Sequence, residues 1–138
     1  MRKRTQAREC ALQILYQIDI TGESPEEVCA NFWRYQEDES IEGATQDFAV
    51  ALVKGVVEHL DSIDEKIAKY ATNWQLKRMA VVDRNILRLS SFEILFREDI
   101  PVKVSINEAV DLAKKFSGEE AGKFVNGILD KVKLEKKP

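Results

Sequence analysis

The chain has one histidine, two cysteines and no long apolar run, and each scarcity removes a class of function. Nothing approaches the roughly 20 consecutive apolar residues that cross a bilayer. The charged opening from Met1 to Arg8 lacks the apolar centre of a secretory signal. A cytoplasmic protein with no membrane segment is expected. Cys10 and Cys29 fall at apolar helical positions, so free thiols in a reducing compartment are expected rather than a disulfide. His59 stands alone on an apolar stripe, with no serine, cysteine or second histidine placed for a relay, and reads as a core residue. The nine carboxylates between Asp19 and Asp47 lack EF-hand spacing. They read as a solvated face that repels nucleic acid from the wrong side. No nucleophile motif, metal cluster or phosphate loop is present, and no cofactor is expected. A binding protein is therefore expected before an enzyme.

What is present is a charge split carried on helices. The 138 residues are 44% hydrophobic and 33% charged, which suits one domain, or one domain of two packed halves. Net charge is −3 and the isoelectric point about 5.3, yet Arg2, Lys3, Arg4 and Arg8 crowd the first helix. Local positive charge on an acidic chain marks a surface that meets an anion in one place. Cations at a helix N-terminus oppose the macrodipole, by a few tenths of a kcal/mol or more, unless an anion sits there. The other reading is a solvated helix end.

Apolar periodicity gives an all-α architecture. Ala7, Cys10, Ala11, Ile14, Leu15 and Ile18 form one helical stripe that Gly22 ends. Ser24-Pro25-Glu26-Glu27 reads as a capping box with proline at the first helical position. A long, widely apolar helix is expected from Thr45 to Tyr70, acting as a spine. A break around Thr72-Asn73-Trp74 divides two three-helix halves near residue 73. A central helix then spans Val81 to Phe96. Ser105-Ile106-Asn107-Glu108 reads as a second capping box opening a helix that carries Phe116, and Ala121 to Val132 forms the last helix before a lysine-rich tail through Lys137 to Pro138. Strand signals are weak: Val102-Lys103-Val104 alternates without a partner. About six to seven helices are expected.

Arg4 and Arg8 lie one turn apart, and further steps of four reach Leu12 and Tyr16. The strip therefore reads as an anion surface grading into a protein contact. A second basic set comprises Lys114, Lys115 and Lys123, with Lys131, Lys133, Lys136 and Lys137 beyond. Lys123 stands beside Phe124 and Asn126, and a cation, a ring and an amide are the ingredients of single-stranded RNA recognition. By spacing alone Phe124 reads as core before it reads as a base platform. Glu93, inside an apolar segment with Arg84 and Arg88 near its face, reads as a buried ion pair joining helices. Gly127 reads as a close helix contact.

Six segments together resemble the NusB family of bacterial transcription antitermination factors. They are Ala7-Arg8-Glu9-Cys10-Ala11-Leu12-Gln13-Ile14-Leu15-Tyr16, Leu52-Val53-Lys54-Gly55-Val56, Asp83-Arg84-Asn85-Ile86-Leu87-Arg88-Leu89, Ile100-Pro101, Ile106-Asn107-Glu108-Ala109-Val110-Asp111-Leu112-Ala113-Lys114-Lys115-Phe116, and Lys123-Phe124-Val125-Asn126-Gly127-Ile128-Leu129-Asp130-Lys131. The resemblance covers nearly the whole chain and implies two three-helix bundles set side by side. It implies binding of boxA RNA in ribosomal RNA leaders together with NusE, a small-subunit ribosomal protein, within an RNA polymerase complex that includes other Nus factors. It places RNA at Arg2, Lys3, Arg4, Arg8, Lys123 and Phe124, to which the amide of Asn126 is added by its place beside them, and the protein partner at Tyr16 and Asp83, with Leu12 joining that surface by helical spacing. The opening is shorter and poorer in arginine than in well-known members, which implies weaker RNA binding without the partner. A related helical domain occurs fused to ribosomal RNA methyltransferases, but no methyl-donor domain is present in this sequence. The remaining alternative is a helical adaptor, or a homodimer, that binds protein alone.

Overall fold

The computed structural model describes residues 2–72 and 75–136. The expected division near residue 73, together with Asn73, Trp74, Lys137 and Pro138, lies outside the described residues. Seven α-helices and two short 3-10 turns are present among the described residues, with no strand. The helices are α1 (Lys3–Thr21), α2 (Pro25–Arg34), α3 (Gly43–Glu58), α4 (Leu60–Tyr70), α5 (Val81–Phe96), α6 (Val102–Ser117) and α7 (Glu119–Val132).

Local chemistry sets several of these boundaries. Gly22 ends α1 in the left-handed conformation at φ 72°, where a side chain would be strained, and its N–H bonds back to the Ile18 carbonyl. Ser24 Oγ accepts the Glu27 N–H at 3.2 Å, capping α2 ahead of Pro25.

The expected single spine helix is two helices. His59 adopts φ −108°, ψ 19°, near the bridge region, while Ile63 N–H still reaches its carbonyl at 2.9 Å. The backbone leaves helical values at that one residue, whose own N–H still reaches the Gly55 carbonyl at 3.1 Å. The His59 ring is half-buried rather than enclosed, and it stacks on Phe96 at 3.9 Å.

α5 forms the centre and packs against α1, α3, α4, α6 and α7. Its Ile86, Leu87 and Ile94 are fully buried in one core cluster shared by all seven helices. Gly55 lets α3 approach it: a Cβ at that position would lie inside the Phe92 ring. Gly127, expected to do the same on α7, faces open space and is exposed.

The second capping box is also corrected. Helix α6 starts at Val102, because the Pro101 carbonyl already accepts from the N–H groups of Val104 and Ser105. That places Ser105 inside the first turn, where its hydroxyl donates to buried Glu93 at 2.8 Å.

Glu93 does sit in a buried ion pair, but its cation is Arg8. Arg84 and Arg88 instead converge on Asp19 at the end of α1, at 2.7 and 3.0 Å, and Arg88 continues to Asp64 on α4. Hydrogen bonds from Arg84 and Asn85 outweigh burial and hold the Asp19 carboxyl below its ordinary range. Two charge networks thus clamp the two halves of α1 to α5.

Candidate functional site

The start of α1 presents Arg2, Lys3 and Arg4 to solvent. Each gains acidic or aromatic neighbours from distant elements. Lys3 Nζ reaches Glu42 at 2.9 Å, and Arg4 lies 3.7 Å from Asp99 and 4.3 Å above the Phe48 ring centre. Arg2 and Thr5 line a cleft of about 480 Å³ with Asn107, Glu108 and Asp111 of α6. The loop before α3 folds onto this corner, with Gln6 Nε2 donating to Ser40 at 3.3 Å. Part of the acidic stretch therefore faces the basic corner instead of standing on the opposite side. These carboxylates relieve the unfavourable placing of cations at a helix start.

Arg8 departs from the expected exposed strip. It is 2% exposed, and its Nε and Nη2 donate to the two carboxylate oxygens of Glu93 at 2.8 Å each. Its third nitrogen lies 3.4 Å from Glu108, which accepts from Thr5 at 2.7 Å. A guanidinium with its fork occupied and no open face has nothing left for a phosphate. Arg8 holds α1, α5 and α6 together beneath the site.

On α7, Lys123 and Asn126 are exposed, and Lys123 lies 3.5 Å from Glu120. Phe124 is half-buried against the core and lines a cleft of about 470 Å³ with Arg78, Ser117, Glu120 and Asp83. The core reading of its spacing is met in part, with one side of the ring on the cleft. Asp83, assigned by resemblance to the protein partner, shares this cleft with Phe124. Its Oδ1 is buried, with no hydrogen-bond partner among the described residues. α6 connects the two basic sets. It packs along α7, where Lys114 lies over Gly122, and Lys115 reaches back to Glu9 of α1 at 2.6 Å.

Further along α1, Leu12, Tyr16, Gln13 and Gln17 line an apolar groove of about 330 Å³ with Val82 and Phe116. Leu12 is its floor at 4% exposure, while Tyr16 and Phe116 are its rims at 40% and 45%. Phe116, one of the apolar residues that α6 carries, is half exposed. It sits in the last turn of α6, facing Tyr16 and Val82 across the groove.

Sequence reasoning did not single out Phe48, Arg97, Asp99 or Glu42. Helical spacing reports a face, whereas Phe48 and Glu42 meet Arg4 and Lys3 across long separations, and Arg97 and Asp99 pair within a turn that has no helical period. Among the described residues no cluster of three metal-ligating side chains occurs, and no helix is long and apolar enough to cross a membrane. Cys10 and Cys29 are free, and burial pushes the Cys10 thiol up to about 11, making it a poor nucleophile.

The NusB family model matches residues 5–133. The transcription antitermination protein NusB of Anaeromyxobacter dehalogenans (strain 2CP-1) is 52% identical over 130 residues, covering 94% of this chain and 89% of the relative. That of Bacillus subtilis (strain 168) is 48% identical over 133 residues, covering 96% of each. Among solved structures, T. maritima NusB superposes with a TM-score of 0.87 at 37% identity, covering 100% of this chain and 94% of that one. A crystal structure of the antitermination factors NusB and NusE in complex with dsRNA gives 0.85 at 35% identity, covering 98% of each chain. The chain belongs to the NusB family.

Proposed function

We propose that this protein is a transcription antitermination factor that binds boxA RNA of ribosomal RNA leaders jointly with NusE, without catalysis. The observation that carries the reading is the exposed basic corner of Arg2, Lys3 and Arg4 on a chain of net charge −3. The curated relatives are named as antitermination proteins, and one structural neighbour is a NusB–NusE pair with dsRNA. Phosphates held at the basic corner position the strand, and bases are read at Lys123, Phe124 and Asn126. The rimmed groove of Leu12, Tyr16 and Phe116 has the size and apolar character to take side chains of NusE. The pair then joins RNA polymerase with other Nus factors in the cytoplasm.

The test is a titration of labelled boxA RNA, a scrambled strand and a duplex, with and without NusE. Binding that is tightest for boxA and strengthened by NusE supports the reading. Tyr16→Ala should lower NusE association at least tenfold while leaving helical content unchanged. Equal, salt-weakened binding to all three RNAs would reduce the corner to a general electrostatic surface. A protein-only adaptor or homodimer is the second reading, favoured by the carboxylates already paired with the exposed cations. No RNA binding with NusE present, or a mass that doubles with protein concentration, would favour it.

A further inference from the structure

We propose that Arg97 and Arg4, gathered over the Phe48 ring, form a phosphate site for the bound RNA strand, which Asp99 occupies in the free protein. The inference rests on the RNA-binding reading above and extends the basic corner beyond Arg4 to Arg97, Phe48 and Asp99, which lie outside the two sets named there. Phe48 is half-buried on α3 and gathers three guanidinium groups, from Arg4 at 4.3 Å, Arg97 at 5.3 Å and Arg8 at 5.7 Å. Arg8 is closed off by Glu93, so two remain. Arg97, just past the end of α5, directs Nε and Nη2 at the two oxygens of Asp99, at 2.8 Å each. The same carboxylate lies 3.7 Å from Arg4. One anion with two oxygens therefore sits between two forks, which is the geometry a phosphodiester presents to arginine.

Two cations sharing one carboxylate leave a net positive charge. Arg97 is 24% exposed and braced on the ring, so little side-chain freedom is lost when an anion binds. Asp99 is half exposed, in the short turn before α6, and can rotate into solvent. Arg97 keeps its carboxyl low, at about 2, so at neutral pH Asp99 is a charged competitor. A lone phosphate has little advantage over a carboxylate tethered in place. A strand already held at Lys3 and Arg2 presents its next phosphate at high effective concentration. The device admits an anchored polymer and rejects free anions.

The experiment titrates boxA-type single-stranded RNA against the full chain and three variants, with NusE association and thermal midpoint read alongside. Arg97→Gln should weaken RNA binding about tenfold, the lower end for a lost charge-assisted hydrogen bond. It should also flatten the salt dependence by about 0.7 in log–log slope. Arg97→Lys should recover only part of this, because it restores the charge without the fork. Asp99→Asn should tighten binding several-fold, and inorganic phosphate should not compete at low millimolar concentration. NusE association should stay unchanged in all three. Unaltered RNA binding by folded Arg97→Gln would overturn the site. Asp99→Asn that weakens binding would overturn its role as competitor, and this arm stands even if Arg97→Gln fails to fold. RNA binding absent already in the unmodified protein with NusE present would refute the parent reading instead.

Discussion

Arg8 and Glu93 are two full charges shut away from water, 2% and 1% exposed, in a site also satisfied by Ser105 and Glu108. Removing one member of such a pair leaves an uncompensated buried charge, at a cost of about 3–5 kcal/mol. Arg8→Met should destabilise the protein by that amount in urea unfolding. Adding Glu93→Leu should restore much of the loss, because the orphaned carboxylate goes with it. A single variant within about 1 kcal/mol of the parent would show that water reaches the pair. The burial of Arg8 was legible in principle: it stands four and seven residues before Leu12 and Leu15, on a stripe that is buried throughout. Its charge pointed outward in the reading, and its periodicity pointed inward. Periodicity won because Glu93 and Glu108 arrive from α5 and α6, 85 and 100 residues away, and no local pattern announces them.

At the scale of elements, the all-helical fold, the Gly22 stop, the Ser24 cap and the central α5 followed from spacing and capping chemistry. The break at His59 and the early start of α6 did not. Both depend on what lies across the core: Phe96 draws the His59 ring, and Glu93 takes the hydroxyl that would have capped at Ser105. The glycines separate on the same ground, since a helical glycine signals close approach only if something stands opposite. Gly55 faces the Phe92 ring, whereas Gly127 faces nothing within 4 Å. Gly55→Ala should therefore destabilise by about 1–3 kcal/mol through overpacking. Gly127→Ala should stabilise by up to about 1 kcal/mol through helix propensity. Thermal midpoints of the two variants check the pair, and a drop for Gly127→Ala would mean that α7 packs through that face after all.

For the whole molecule, the excess of positive charge at one corner is visible in the sequence, but its pairing is not. Lys3 meets Glu42 across 39 residues and Lys115 meets Glu9 across 106. Arg4 and Lys123 are matched with Asp99 and Glu120. Exposed pairs of this kind contribute about 0–1 kcal/mol each, so a bound strand can displace them. Each displaced carboxylate then recruits a cation from solution, which offsets part of the counterion release that drives binding to RNA. Three to five phosphates at about 0.7 counterion each would give a log–log salt slope of roughly −2 to −3.5. The freed carboxylates move the expected value toward the shallow end, near −2. Selectivity then comes from bases and partner more than from bulk charge, as suits an acidic protein working among much longer RNAs. Titrating boxA and scrambled strands across potassium chloride concentrations measures this directly. A shallow slope with a persistent boxA preference is the expected result. A slope steeper than about −5, shared by both strands, would mean that the carboxylates do not restrain the basic corner and that the surface binds RNA by charge alone.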